Sequence, residues 1–178
     1  DLRLRLPSQR YFEEEDEVEL SPRNFGILMH KAFEQADDRQ QIYEAVQRMR
    51  DDGTLSPAEA EALRGMVARA LAHPVAGEWF GGGWQRVRNE NEIIVPHRTR
   101  IRRTRREQTA ERTIRRPDRV MVKEGRAVVV DYKFGLRENP DHRRQLGEYI
   151  ELLREIGYTQ VEGYLWYVRM ERIVSIDG

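Results

Sequence analysis

Two aspartates and a lysine stand in neighbouring segments of the second half, Arg116-Pro117-Asp118-Arg119 and Asp131-Tyr132-Lys133. The Glu124-Gly125 pair between them predicts a tight turn. A hairpin closed by that turn brings the two carboxylates near each other at one end of a sheet. Neighbouring carboxylates repel unless a cation lies between them, and hard oxygen ligands favour Mg²⁺ or Mn²⁺.

Lys133 follows Asp131 by two residues, which places both side chains on the same strand face. A divalent ion and a lysine beside a phosphodiester make a workable hydrolytic site, because the metal activates water and the lysine orients it or stabilises developing charge. The alternative is a structural hairpin in which Arg119 and Lys133 neutralise a buried aspartate pair. Asp131 ends a continuously apolar strand, where a charge is costly, and this favours the catalytic interpretation.

Two helical segments carry further candidates. His30 ends the segment Gly26-Ile27-Leu28-Met29-His30 and could add a nitrogen ligand, although a lone histidine on a helix is more often structural. Gln145 and Tyr149 share one helix face and could contact a phosphate or a base. Taken alone, that pair is better explained as an ordinary polar helix face.

The elements that must position these residues follow from periodicity. The first half predicts helices over 21–35, 39–49 and 57–73, the last one opened by a capping box at Ser56 and Glu59. The second half predicts strands over 86–96, 115–123 and 127–132, a helix over 140–156 ended by Gly157, and strands over 161–168 and 172–176. This order predicts a mixed α/β core with helices packed on it.

Composition narrows the function classes. The chain contains no cysteine, which excludes disulfides, thiolate zinc sites and an iron–sulfur cluster. It has no apolar run long enough to span a bilayer, and its first residues lack the apolar segment of a signal peptide, so we expect none. Its first residue is not methionine, so we expect a fragment of a longer protein.

A formal net charge of zero conceals a strong segregation of charge. Residues 13–19 are acidic, and we expect a solvated loop or a contact with a basic partner domain. Residues 97–116 are rich in arginine and either bind phosphates and steer DNA or form a solvated hairpin; their position before Asp118 favours the first. The nearby aromatics are expected in the core rather than stacked on bases: Trp79, Phe80 and Trp84.

Four of these segments occur in an order that resembles the PD-(D/E)XK nucleases of the RecB/AddA branch. They are GILMH (26–30), RPDRV (116–120), VVDYKFG (129–135) and QLGEY (145–149). A lone DYK would be a weak signal, whereas four motifs in order on the predicted elements are a strong one. The likeness covers about residues 20–178 and includes the final segment GYTQVEGYLWYV.

The resemblance implies a restriction-endonuclease-like fold: a mixed central sheet flanked by helices, with an N-terminal helical elaboration. It divides one nuclease domain into a helical part, 1–84, and a catalytic core, 85–178. It implies catalysis by Asp118, Asp131 and Lys133, and metal binding by Asp118, Asp131, His30 and the Tyr132 carbonyl. Substrate contacts are expected from Gln145, Tyr149, Arg116 and Arg119, and a further carboxylate from Glu92, with Glu90 as its rival.

The implied function is Mg²⁺-dependent hydrolysis of DNA phosphodiesters, with Mn²⁺ able to substitute. The likeness is nearest to the nuclease domain at the C-terminus of UvrD-like helicases, which act in double-strand break repair and recombination. Expected partners are DNA, the parent helicase domains and an AddB-like subunit, in the bacterial cytoplasm and without a membrane. The alternatives are a non-catalytic DNA-binding scaffold of the same fold and a standalone repair exonuclease.

Overall fold

A computed structural model describes residues 22–89 and 117–176. Helices make up the first of these ranges up to the glycines at 81–83: α1 (Pro22–Phe33), α2 (Arg39–Asp51), α3 (Pro57–Ala72) and α4 (Pro74–Trp79). The strands follow: β1 (Arg86–Asn89), β2 (Arg119–Lys123), β3 (Arg126–Lys133), β4 (Gln160–Tyr167) and β5 (Arg172–Ile176). Helix α5 (Pro140–Ile156) connects β3 to β4, and a short 3₁₀ turn, Val168–Met170, leads into β5.

Local sequence signals set the ends of the helices. The Ser56 side chain accepts from the Glu59 N–H and Glu59 reaches back to Ser56, which confirms the predicted capping box. Helix α5 ends at Gly157, whose φ of 118° is a left-handed conformation suited to glycine. Helix α4 was not predicted, because Pro74 marks the end of α3 and also occupies the first turn of a new helix capped by His73.

The sheet has five strands in the order β1-β2-β3-β4-β5. Strands β3 and β4 are parallel and the other neighbouring pairs are antiparallel. Glu124 and Gly125 both have positive φ, 51° and 81°, as the tight turn between β2 and β3 requires. In the parallel pair Asp131 lies opposite Leu165, and Lys133 lies opposite Tyr167.

Two hydrophobic layers cover the sheet, and β3 contributes to both. On one face Val128, Val130 and Tyr132 pack with α1–α4; on the other, Ala127 and Val129 pack with α5. Strand β3 is therefore buried on both sides, as its uninterrupted apolar run predicts. This arrangement confirms the mixed α/β, restriction-endonuclease-like class. None of the helices within the described ranges is long and apolar enough to cross a membrane.

The aromatics at the end of the helical layer belong to its core. Trp79 is 1% exposed and Phe80 is fully buried, and both rings contact Trp166 of β4. Trp84 is partly buried, and its indole N–H donates to the Glu78 carbonyl at 3.1 Å. These contacts support the core interpretation over base stacking.

Candidate active site

Asp131 and Lys133 meet on the α5 face at the carboxyl end of β3. The Lys133 Nζ lies 2.6 Å from the Asp131 Oδ2, and the two side chains are 21% and 12% exposed, respectively. The alternation of a strand puts them on one face, as the sequence predicts. The ammonium and the carboxyl group therefore lie within hydrogen-bond distance in a largely buried position.

Asp118 immediately precedes β2 and lies beside this pair. Its Oδ2 accepts the Tyr132 backbone N–H at 2.6 Å, which fixes the carboxylate against β3. A strand over 115–123 was predicted, but the described part of β2 begins one residue after Asp118. The hydrogen bond from the Tyr132 N–H thus holds the Asp118 carboxylate just before the first residue pair between β2 and β3.

His30, on helix α1, lies beside Asp118. The His30 Nε2 lies 3.4 Å from the Asp118 Oδ1. Gly26, one turn earlier, allows this approach: a Cβ there would lie 3.3 Å from the Phe134 Cβ, just beyond the end of β3. The His30 ring also packs edge-on against Phe134, with centroids 6.3 Å apart. The Gly-x-x-x-His spacing therefore serves helix–strand packing as well as placing the imidazole.

The two carboxyl groups have opposite protonation tendencies. Burial, followed by the neighbouring Asp118, raises the pKa of Asp131 to about 7, although Lys133 opposes this. Burial also acts to raise the pKa of Asp118, but hydrogen bonds from His30, Asp131 and the Tyr132 N–H outweigh it and the pKa falls below its usual value. Two carboxyls this close repel each other when both are ionised, so Asp131 loses its proton only near neutral pH even with Lys133 beside it.

This chemistry suits a divalent cation. The two carboxyl groups offer hard oxygen donors, and a cation between them would offset both the burial and the repulsion from Asp118 that raise the pKa of Asp131. Within 22–89 and 117–176 no group of three or more His, Cys, Asp and Glu side chains forms a ready-made metal site. In this arrangement Lys133 and His30 contact the carboxyl groups directly, so ion binding requires Lys133 to turn away and the His30 nitrogen to exchange its contact with Asp118 for one with the ion.

A family comparison agrees with this geometry. The family model described as the PD-(D/E)XK nuclease superfamily matches residues 2–175. The chain belongs to the PD-(D/E)XK nuclease superfamily. No curated protein matches it in sequence. The structure brings together the carboxyl groups of Asp118 and Asp131 and the ammonium of Lys133, and their assignment to the motif in the family's name stays a prediction.

The remaining predicted residues of this PD-(D/E)XK domain fall in three places. Arg116 and Glu92, together with the arginine-rich stretch and Glu90, lie outside the described residues. Gln145 is partly exposed on α5. Tyr149 is 3% exposed and belongs to the core between α5 and the sheet. The ring of Tyr149 therefore packs in the core, and its expected contact with substrate stays a prediction.

Arg119 occupies a position different from the predicted one. It is fully buried, and its guanidinium donates to the carbonyls of Ala36, Asp37 and Trp79 at 2.5, 2.6 and 2.7 Å. It also stacks on Phe80, with the guanidinium carbon 4.0 Å from the ring centroid. These contacts use both terminal nitrogens inside the protein, so the expectation that Arg119 binds a substrate phosphate is replaced by a structural role.

One histidine near the site was missed. His142, in the first turn of α5, places its Nδ1 3.2 Å from the Tyr167 hydroxyl oxygen. Burial, followed by the charge of Lys133, lowers the pKa of the His142 imidazole. The available signal was its position: the first turn of the helix that follows a catalytic strand lies at the same sheet edge as the strand's last residues.

Proposed function

We propose that this domain hydrolyses DNA phosphodiester bonds with a divalent cation, Mg²⁺ in the cell and Mn²⁺ as a substitute. The observation that carries the proposal is the group formed by buried Asp131 and partly buried Asp118 and Lys133, in which the pKa of Asp131 is raised to about 7 and that of Asp118 is lowered. Such coupled, perturbed groups are typical of functional sites. Superfamily membership supports nuclease chemistry as the use of this group.

The cation would be held by Asp118 and Asp131, with the Tyr132 carbonyl and His30 as further ligands. Bound there, it supplies Lewis acidity to the phosphoryl group and favours deprotonation of water. Lys133 then leaves Asp131 and turns its ammonium to the non-bridging oxygens, where negative charge grows as water attacks phosphorus. The attacking oxygen loses a proton, the P–O bond opposite it breaks, and the departing alkoxide takes up a proton.

The wider setting rests on the four-motif resemblance. It supports a place at the C-terminus of a UvrD-like helicase in double-strand break repair, with an AddB-like subunit, in the bacterial cytoplasm. Gln145, Tyr149 and Arg116 are proposed to lie near the bound strand, and Glu92 to add a carboxylate. The arginines of 97–116 supply positive charge suited to phosphates, which supports a nucleic acid as substrate.

A cleavage assay with matched variants tests the proposal. End-labelled single-stranded and duplex DNA are incubated with wild type, Asp118→Asn, Lys133→Met and the surface control Glu61→Gln, in Mg²⁺ and in EDTA. We expect cleavage by wild type and by the control in Mg²⁺ only, and losses of at least about a hundredfold in the two site variants. Metal-dependent cleavage that survives both site substitutions contradicts the assigned site. DNA binding without cleavage by wild type supports the scaffold alternative.

A further inference from the structure

His142 and Tyr167 form a pair that the roles proposed above do not use. Tyr167 is the last residue of β4, lies opposite Lys133 in the parallel register and is 1% exposed. His142 stands over it from α5, with ring centroids 6.0 Å apart, and is partly exposed. The pair thus borders the site beside Lys133, on the α5 face.

The direction of their hydrogen bond follows from satisfying a buried donor. Burial raises the pKa of the Tyr167 hydroxyl, which therefore keeps its proton. Across the described ranges His142 is its one hydrogen-bonding partner, and an unpaired buried donor costs free energy. The hydroxyl therefore donates to Nδ1, and in a neutral imidazole the ring proton then resides on Nε2.

The surroundings of the imidazole favour an anion. Lys133 acts on it from β3, and its position in the first turn of α5 adds the positive end of the helix dipole, although the Asp141 and His142 N–H groups are themselves bonded to Asn139. Among the described residues Asp141 is the one acidic group that acts on the ring, and its effect on the imidazole pKa is smaller than that of burial or of Lys133. Nothing in the part of the chain that the structure describes hydrogen-bonds to Nε2. A polar hydrogen is therefore available beside the lysine proposed to face the phosphate.

We propose that His142 contacts the substrate, with its Nε2–H donating to a phosphate oxygen of the bound strand, and that Tyr167 is the positioning residue that fixes its tautomer. This rests on the proposed function, because it assumes that a nucleic acid strand passes Lys133. It extends the site onto the first turn of α5, one turn before Gln145.

Two matched substitutions separate hydrogen bonding from packing. His142→Phe keeps a ring of similar size without a donor, and His142→Gln restores an N–H. Affinity is measured with a single-stranded oligonucleotide in Ca²⁺ by fluorescence anisotropy, and cleavage is followed separately in Mg²⁺. We expect about tenfold weaker binding for His142→Phe and a loss within about threefold for His142→Gln. Equal affinity of wild type and His142→Phe, with both folded by circular dichroism, overturns the contact.

Long-range ¹H–¹⁵N NMR of the imidazole gives a readout independent of activity. The His142 signals are assigned by their absence in His142→Gln. We expect the Nε2–H tautomer in wild type, its loss in Tyr167→Phe, and a shift of the Nε2 resonance when the oligonucleotide is added. A ring proton on Nδ1, or no response to the oligonucleotide, contradicts the proposal. If wild type does not cleave DNA but these shifts and affinities appear, hydrolysis fails and the His142 contact stands.

Discussion

The side chains of Asp118 and Asp131 lie side by side but have different hydrogen-bonding partners. Asp118 is fixed by the Tyr132 N–H and by His30, which favour its ionised form. Asp131 has Lys133 as its cationic partner and is otherwise disfavoured as an anion by burial and by Asp118. Near neutral pH and without a metal ion, the two carboxyl groups therefore carry less than their full two negative charges. At and below about neutral pH, ion binding must therefore displace a proton from Asp131.

The stability of the metal-free protein should report this proton. The Asp131 pKa of about 7 exceeds its usual value of 3.8, so the folded state binds an extra proton between these limits. Its free energy of unfolding must therefore fall as pH rises through that window, relative to a variant without the carboxyl. We expect Asp131→Asn to gain on the order of 2 kcal/mol over wild type between pH 5 and pH 8. Urea unfolding in EDTA measures this, and an equal difference at both pH values would refute it.

Helix α1 and strand β3 must approach closely for His30 to contact Asp118. Gly26 removes the side chain that would separate the helix from Phe134, and its contact distance is too short for an unmoved Cβ. The remaining helical glycines vary in this respect: nothing lies within 4 Å of a Cβ built at Gly65 in α3. Alanine should therefore favour the helical conformation equally at Gly26 and Gly65, but only at Gly26 does its methyl group meet a neighbouring side chain.

We predict that Gly65→Ala stabilises the protein by about 0.5–1 kcal/mol, the ordinary gain of alanine over glycine in a helix. Gly26→Ala should lose most of that gain, because α1 must shift by a few tenths of an ångström, and cleavage should fall about tenfold as His30 is displaced. Chemical denaturation and the DNA assay measure the two effects. Equal stabilisation and unchanged cleavage in both variants would show that the approach of α1 is not limiting.

Arg119 connects the helical layer to the sheet. Its donors reach the linker between α1 and α2, at Ala36 and Asp37, and the end of α4 at Trp79. These carbonyls have no helical partner to replace it, and the guanidinium fork is a shape that lysine does not reproduce. The sequence does not indicate that Arg119 is buried, because an arginine at the start of a strand, next to Asp118, is equally compatible with an exposed position.

Arg119→Met should therefore destabilise the fold by about 3 kcal/mol or more, because it leaves the buried Trp79 carbonyl without a donor, leaves Ala36 only the Asn89 amide, and removes the stacking on Phe80. Arg126→Met is the matched control: Arg126 pairs with Glu162 at 2.8 Å but is about one-third exposed, and its loss should cost under about 1 kcal/mol. Urea midpoints at constant pH compare the two. A cost for Arg119→Met no greater than for Arg126→Met would contradict the anchoring role.

Across the whole molecule, the sequence predicts best where one local rule acts alone. The β2–β3 turn, the Ser56 cap and the apolar run of β3 needed no tertiary information. Arg119 and Tyr149 needed it, since burial depends on what the opposite layer places over them. Helix α4 needed it too, because Pro74 is compatible with ending a helix and with starting one. His142 became a candidate only when α5 placed it beside Tyr167.

The site joins both layers, so its occupancy should bear on the stability of the entire fold. Asp131 and Lys133 lie on the α5 side of β3, whereas His30 comes from the helical layer on the other side. A ligand that binds only the folded arrangement adds about 2.7 kcal/mol to the free energy of unfolding at a hundredfold excess over its Kd. Mg²⁺ should therefore raise the Tm of wild type by roughly 5–10 °C at that excess.

This rise should depend on the carboxylates and on pH. Asp118→Asn should abolish it, whereas Glu61→Gln, an exposed carboxyl on α3, should leave it intact. Because ion binding displaces the Asp131 proton, the rise at a fixed Mg²⁺ concentration should be smaller at pH 6 than at pH 8. Differential scanning calorimetry of the three proteins measures this. A Mg²⁺-dependent rise of equal size in Asp118→Asn would place the ion elsewhere, and the two layers would then be held together without it.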